Sequence, residues 1–130
     1  MRFFAMGLAG VAIMCATPAF PHHSFAMFDY MKRVTLEGTV KEFQWTNPHS
    51  WIQMMVKNPQ GVDEQWSVEL GTPAGLSHQG WVPKTLIPGM KITALIHPLK
   101  DGKHGGRGIS VTLPDGATKS HPFPLGVRTS

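Results

Sequence analysis

From Val34 onward, apolar and polar positions alternate with a period of two. Val34, Leu36 and Val40 fall on one side, and Thr35, Glu37 and Lys41 on the other, the pattern of a half-buried strand. Gly38 interrupts it with no side chain to pack. A small barrel needs such a residue where a long first strand bends sharply. The phase slips near Glu42-Phe43, which predicts a bulge ahead of Trp45. After the Asn47-Pro48 corner, Ile52, Met54 and Val56 take the core side of a second strand, with Trp51, Gln53 and Met55 opposite. Asn58-Pro59-Gln60-Gly61 then reads as a turn. A third strand follows, with Trp66, Val68 and Leu70 inward and Gln65, Ser67 and Glu69 outward, so strands two and three form a hairpin.

The period changes at Gly71-Thr72-Pro73. Thr72 suits an N-cap, Pro73 the first helical position, Leu76 an apolar contact and Gly80 the stop, so a short helix is predicted over residues 73–79. Pro88-Gly89 marks another turn, and Ile92, Ala94 and Ile96 alternate with Lys91, Thr93 and Leu95 as a fourth strand. Residues 100–108, glycine-rich and charged, read as a loop, and Ile109, Val111 and Leu113 as a fifth strand. Beyond Pro114-Asp115-Gly116 periodicity fades and a loosely held tail is expected. Three strands, a short helix and two strands is the order of an OB-fold, a small Greek-key barrel. The expected class is therefore all-β with one short helix, a five-stranded OB-fold-like barrel; another small β-barrel or an open sandwich is the alternative.

Length changes this picture little: 130 residues hold one domain. The N-terminus changes it more. Arg2 precedes an uncharged apolar run over residues 3–16, then the small residues of Thr17-Pro18-Ala19. That run is shorter than the roughly 20 residues of a membrane span and matches a signal peptide. The expected organisation is a cleaved signal at 1–19, an arm at 20–33, the barrel at 34–116 and the tail at 117–130, in a periplasmic or secreted protein. Cys15 is the sole cysteine and would leave with the signal, so the mature domain would have no disulfide. Met14 before it is too large for the usual lipoprotein pattern. Without Arg2, eleven basic residues stand against eight acidic ones, a net +3 spread along the chain, unlike the clustered charge of a nucleic-acid binder.

Several motifs in one order resemble a known family: His22-His23-Ser24-Phe25, Leu36-Glu37-Gly38-Thr39-Val40, Trp45-Thr46-Asn47-Pro48-His49, Glu69-Leu70-Gly71-Thr72-Pro73 with Gly80-Trp81, Pro88-Gly89, and Ser110-Val111-Thr112-Leu113-Pro114-Asp115-Gly116. Together they are similar to the exported bacterial domain-of-unknown-function family 6152, across residues 22–116. The resemblance implies export and an all-β domain, and no established activity. Family members place Ala directly before the His-His pair; here Phe20-Pro21 intervenes.

Candidate chemistry centres on His22, His23 and His49. Imidazole is the commonest transition-metal ligand, and three of them suit copper or zinc. Convergence requires the strand-two entrance to lie beside the arm. Met27, Met31, Met54 and Met55 would add soft sulfur favouring copper(I), although Met54 holds a predicted core position. An amino-terminal copper motif is disfavoured, because after cleavage at Ala19 the second residue is Pro21, which has no N–H. The bland alternative is that the pair is exposed and His49 serves turn geometry.

A second class of function uses the outer face of strands two and three, where OB-folds commonly bind. Trp51, Met55, Gln65 and Glu69, with Gln53 and Ser67, could hold a small ligand or another exported protein there, unless Trp51 packs under the arm. Nucleic acid is not expected, since Glu69 sits in a face that would need stacked aromatics in a basic groove. No catalytic arrangement is legible: Asp29, Glu37, Glu42 and Glu69 show no pairing, and no enzyme is expected. Asp101, His97 and His104 suggest either a second polar site or a solvated loop.

Overall fold

The structure is a computed structural model and describes residues 25–120. Its regular elements are β1 (Val34–Gln44), β2 (Trp51–Lys57), β3 (Asp63–Glu69), α1 (Pro73–His78), β4 (Lys91–Pro98), β5 (Gly105–Thr112) and β6 (Thr118–Ser120), preceded by a 3₁₀ turn at Phe25–Met27. The strands are antiparallel neighbours in the order β3-β2-β1-β4-β5-β6, and a parallel pairing of β3 with β5 closes the sheet. The closed ring thus runs β1-β2-β3-β5-β4, the five-stranded OB-fold-like barrel with one short helix.

Closure depends on β1, whose first half pairs with β4 and whose second half pairs with β2. Gly38 sits at the changeover, registered against both Val56 and Ile92. A Cβ there would run into the Met55 carbonyl, so glycine is a requirement of close approach. The bulge expected near Glu42-Phe43 lies between Val40 and Glu42. Of the predicted inward residues, Leu36, Val40, Ile52, Met54, Val68, Leu70, Ile92, Ala94, Ile96 and Val111 are buried, and Val34, Val56, Trp66 and Leu113 are partly buried against them. Leu76 from α1, with Trp81 and Leu86 from the connection that follows, joins the same core. The helix is capped as its sequence requires: Gly75 N donates to Thr72 Oγ1 at 3.0 Å, Pro73 opens it, and it ends one residue short of the predicted 79, where Gln79 is the C-cap.

The fifth strand departs from the periodicity reading. It begins at Gly105, inside the stretch expected to be a loop, and ends at Thr112, leaving Leu113 outside it. Glycine there signals lack of room. A Cβ on Gly105 would stand 2.9 Å from Leu99 Cδ1, and one on Gly106 would strike the His97 carbonyl. Ile109 is the extra residue of a bulge, since Leu95 opposes Ser110 while Ile96 opposes Gly108. The tail also departs from expectation at its start, where Thr118–Ser120 pair with β5 as β6.

The arm packs on the barrel from Phe28 onward. Phe28, 5 % exposed, bridges to Leu99; Asp29 N donates to the Pro98 carbonyl at 2.8 Å, and Lys100 N to the Met27 carbonyl at 2.9 Å. This lays residues 27–32 along the outer side of the β4 end. No helix among the described residues is long and apolar enough to cross a membrane.

Candidate functional site

The corner before β2 is rigidly held. The Asn47-Pro48 peptide is cis, and Thr46 Oγ1 donates to the His49 carbonyl at 2.9 Å. Ser50 N donates to the Gly71 carbonyl at 2.9 Å, and Leu70 N to the Ser50 carbonyl at 2.8 Å, which ties the corner to the end of β3. This clamp sets His49 over Glu69, the last residue of β3. His49 Nδ1 donates to Glu69 Oε1 at 2.6 Å, with the imidazole one-third exposed and the carboxylate 3 % exposed.

Glu69 belongs to the outer face of its strand, yet it is buried. It opposes Arg107 across the parallel β3–β5 pairing, and Arg107 opposes His97 across β5–β4, so one row of outward positions carries Glu69, Arg107 and His97. Arg107 Nη1 donates to Glu69 Oε1 at 3.0 Å and to the Leu70 carbonyl at 3.1 Å. A buried guanidinium is acceptable only with such charge-assisted partners. The arm roofs the row: the Tyr30 ring lies 5.1 Å from the His97 ring, and His97 Nδ1 donates to the Lys32 carbonyl at 2.7 Å. Burial pushes the Tyr30 hydroxyl's pKa above its usual value; the Arg107 charge opposes this and that of Glu69 adds to it.

Two polar atoms of this neighbourhood, Glu69 Oε2 and Ser50 Oγ, are buried without a partner among the described residues. Oε1 therefore accepts from both Arg107 and His49 while Oε2 accepts none. On His49, Nδ1 is committed to the carboxylate, and Nε2 is the ring atom left with its lone pair. The arrangement can hold an imidazole in one tautomer and present Nε2 to an acceptor of electron pairs.

Of the predicted site residues, His22 and His23 lie outside the described residues, and His49 stands in the cluster just described. Met54 is a core residue and Met31 is 95 % exposed. The four proposed face residues are on the outer side of β2 and β3, Trp51 opposite Glu69 and Met55 opposite Gln65. The face is largely self-satisfied, however. Gln53 links Gln44, Gln65 and Ser67, and Lys41 donates to Gln65 at 2.8 Å. Glu69 is withdrawn from it by Arg107.

Asp101, His97 and His104 do not share one place. His97 is buried beside Tyr30, whereas His104 stacks on Trp66 at 4.8 Å with Nε2 3.4 Å from Glu64, and Asp101 caps Lys103 N. Arg107 and Tyr30 are the members of the cluster that sequence reasoning missed, and His97, singled out with Asp101 and His104 for a second polar site, lies in this one instead. Arg107, a lone arginine among three glycines, carried the signal: small neighbours let backbones close around a long side chain. Among the described residues, no group of three or more His, Cys, Asp or Glu side chains is arranged to hold a metal ion.

Fold and cluster together define a small closed, OB-fold-like β-barrel whose outer face carries a His–Glu–Arg relay, with the arm packed on His97 beside it. Residues 11–108 match a family of unknown function (DUF6152), and the chain belongs to that family. No curated protein and no solved structure matches it significantly.

Proposed function

We propose that the protein is an exported binding module that holds a transition-metal ion, copper or zinc, with His49 Nε2 as the ligand fixed by the barrel and His22 and His23 as ligands brought by the arm. The observation that carries this reading is the 2.6 Å bond from His49 Nδ1 to Glu69 Oε1. Metal-binding histidines characteristically donate their second ring nitrogen to a carboxylate, which fixes the tautomer, orients the ring and raises the basicity of the ligating atom. Arg107 holds that carboxylate in place from the other side. The bonds of Ser50's backbone to Gly71 and Leu70, and of Thr46 Oγ1 to the His49 carbonyl, remove the freedom that a ligand on a loop would otherwise have. His22 and His23 precede by a few residues the point where the arm meets the barrel at Phe28. Soft sulfur plays a smaller part than the sequence suggested, because Met54 is committed to the core.

The test is titration of the processed chain with copper(I), copper(II) and zinc, alongside His49→Ala and the His22→Ala/His23→Ala pair. Binding weakened at least tenfold by either change supports the reading. Equal, weak binding in all three proteins would refute it.

A further inference from the structure

We infer that the groove at the opposite end of β2 binds a short zwitterionic peptide of two or three residues with aliphatic side chains. Its floor and walls come from the middle of β1, the end of β2, the start of β4 and the residues closing β5, and it encloses about 820 Å³. That volume is in the range of pockets that take small organic ligands and exceeds what a single amino acid fills. Met55 and Lys57 line it, whereas His49 precedes the other end of the same strand, so the groove is separate from the His49 cluster by about 20 Å of strand.

The chemistry of the groove is that of an amphiphile with both charges. Lys57 and Asp63, which face each other across the hairpin, have already paired at 3.0 Å. Glu37 and Lys91 have not: neither has an ion-pair or side-chain hydrogen-bond partner among the described residues. Glu37 opposes Thr93, and Lys91 opposes Thr39, so the two charges are diagonal neighbours on adjacent strands, with backbones about 7–8 Å apart. Opposite charges held side by side and unbonded are complementary to a molecule that brings its own ammonium and carboxylate. Glu37 receives the amino terminus and Lys91 the carboxyl terminus, with the hydroxyls of Thr39 and Thr93 beside them to bond the peptide's polar groups. Met55 and Leu113, exposed in part along the same groove, offer apolar surface for the side chains. Gly38 borders the groove, and a side chain there would be forced against the Met55 carbonyl and would reshape β1.

The probe is Leu-Leu, added to the processed, isotopically labelled chain and followed by amide chemical shifts. Shifts are expected at Gly38, Thr39, Thr93 and Leu113, with binding weakened about tenfold by N-acetylation or C-amidation of the peptide, the loss of one charge-assisted contact. Glu37→Gln is expected to weaken the free dipeptide about tenfold and leave the N-acetylated one unchanged, and Lys91→Gln to do the same toward the C-amidated one. Both positions are exposed, so folding is preserved, and the unperturbed amide spectrum verifies this. No shifts in the groove at millimolar peptide, equal binding of the doubly capped peptide, or free leucine binding as tightly as Leu-Leu would each overturn the proposal.

Discussion

Replacing Arg107 by Met tests whether the buried relay acts as a unit. The Arg107 and Glu69 side chains are 7 % and 3 % exposed and meet at 3.0 Å. The substitution keeps most of the arginine's apolar volume but strands the Glu69 carboxylate with only the His49 N–H, and removes the side-chain donor to the Leu70 carbonyl. Breaking a buried ion pair from one side costs about 3–5 kcal/mol, because the charge left behind stays desolvated. His49 offsets part of this, so the expected loss is about 3 kcal/mol. In a domain of roughly 100 residues that lowers Tm by about 12–24 °C. Glu69→Gln strands the guanidinium in turn and is expected to cost a similar amount. The double variant loses less than the sum of the two, by roughly 1–3 kcal/mol of coupling. Thermal and urea unfolding followed by tryptophan fluorescence reads all three. A Tm within about 3 °C of the parent for Arg107→Met, or strict additivity in the double variant, would refute the view that the pair is a desolvated, mutually dependent unit.

Tyr30 is the only tyrosine in the chain, so its ionisation can be followed directly by absorbance. Its midpoint is expected above the usual 10.0 of a tyrosine hydroxyl, with burial as the principal cause. A raised folded-state pKa favours the protonated form on folding, so this stabilisation is complete below the unfolded pKa and is lost as pH rises through the folded one. Stability should therefore fall in the alkaline range above pH 10 in the parent, and by less in Tyr30→Phe; a midpoint at or below 10.0 would contradict the roofed position of the ring. Gly106→Ala forces a methyl group onto the His97 carbonyl and is expected to destabilise by about 1–3 kcal/mol, with Gly61→Ala, where nothing lies within 4 Å, as the comparison in which only the positive φ is penalised. Equal effects of the two would show that space is not what glycine supplies in β5.

Most of the barrel was legible because its strands are half-buried and alternate: Ile52, Met54, Val68, Ile92, Ala94 and Ile96 each occupy the side their period assigns. Thr72, Pro73 and Leu76 marked the helix by capping chemistry alone. Two features escaped. In β5 the need for close backbone approach replaced apolar residues with glycine, and period two cannot be read through Gly105, Gly106 and Gly108. In the site, Glu69, Arg107 and His97 occupy outward positions and are nonetheless buried: Glu69 and Arg107 pair with each other, and the returning arm covers His97 with the Tyr30 ring and the Lys32 carbonyl. That cover is a tertiary contact with no local signature. His49 was singled out as a metal ligand from its motif, whereas its carboxylate partner lies 20 positions away, on a strand read as a separate ligand face.

The central claim is that the Glu69 carboxylate fixes His49 with its proton on Nδ1 and its Nε2 lone pair presented to a metal ion. The most direct measurement is the ring-nitrogen NMR of His49 in the chain from Phe20 onward, before and after one equivalent of zinc. A protonated Nδ1 is expected in both spectra, with a large change confined to Nε2 on addition of zinc that is weakened in Glu69→Gln. A His49 ring whose nitrogens are unchanged by zinc, or whose proton resides on Nε2 in the free protein, would contradict it.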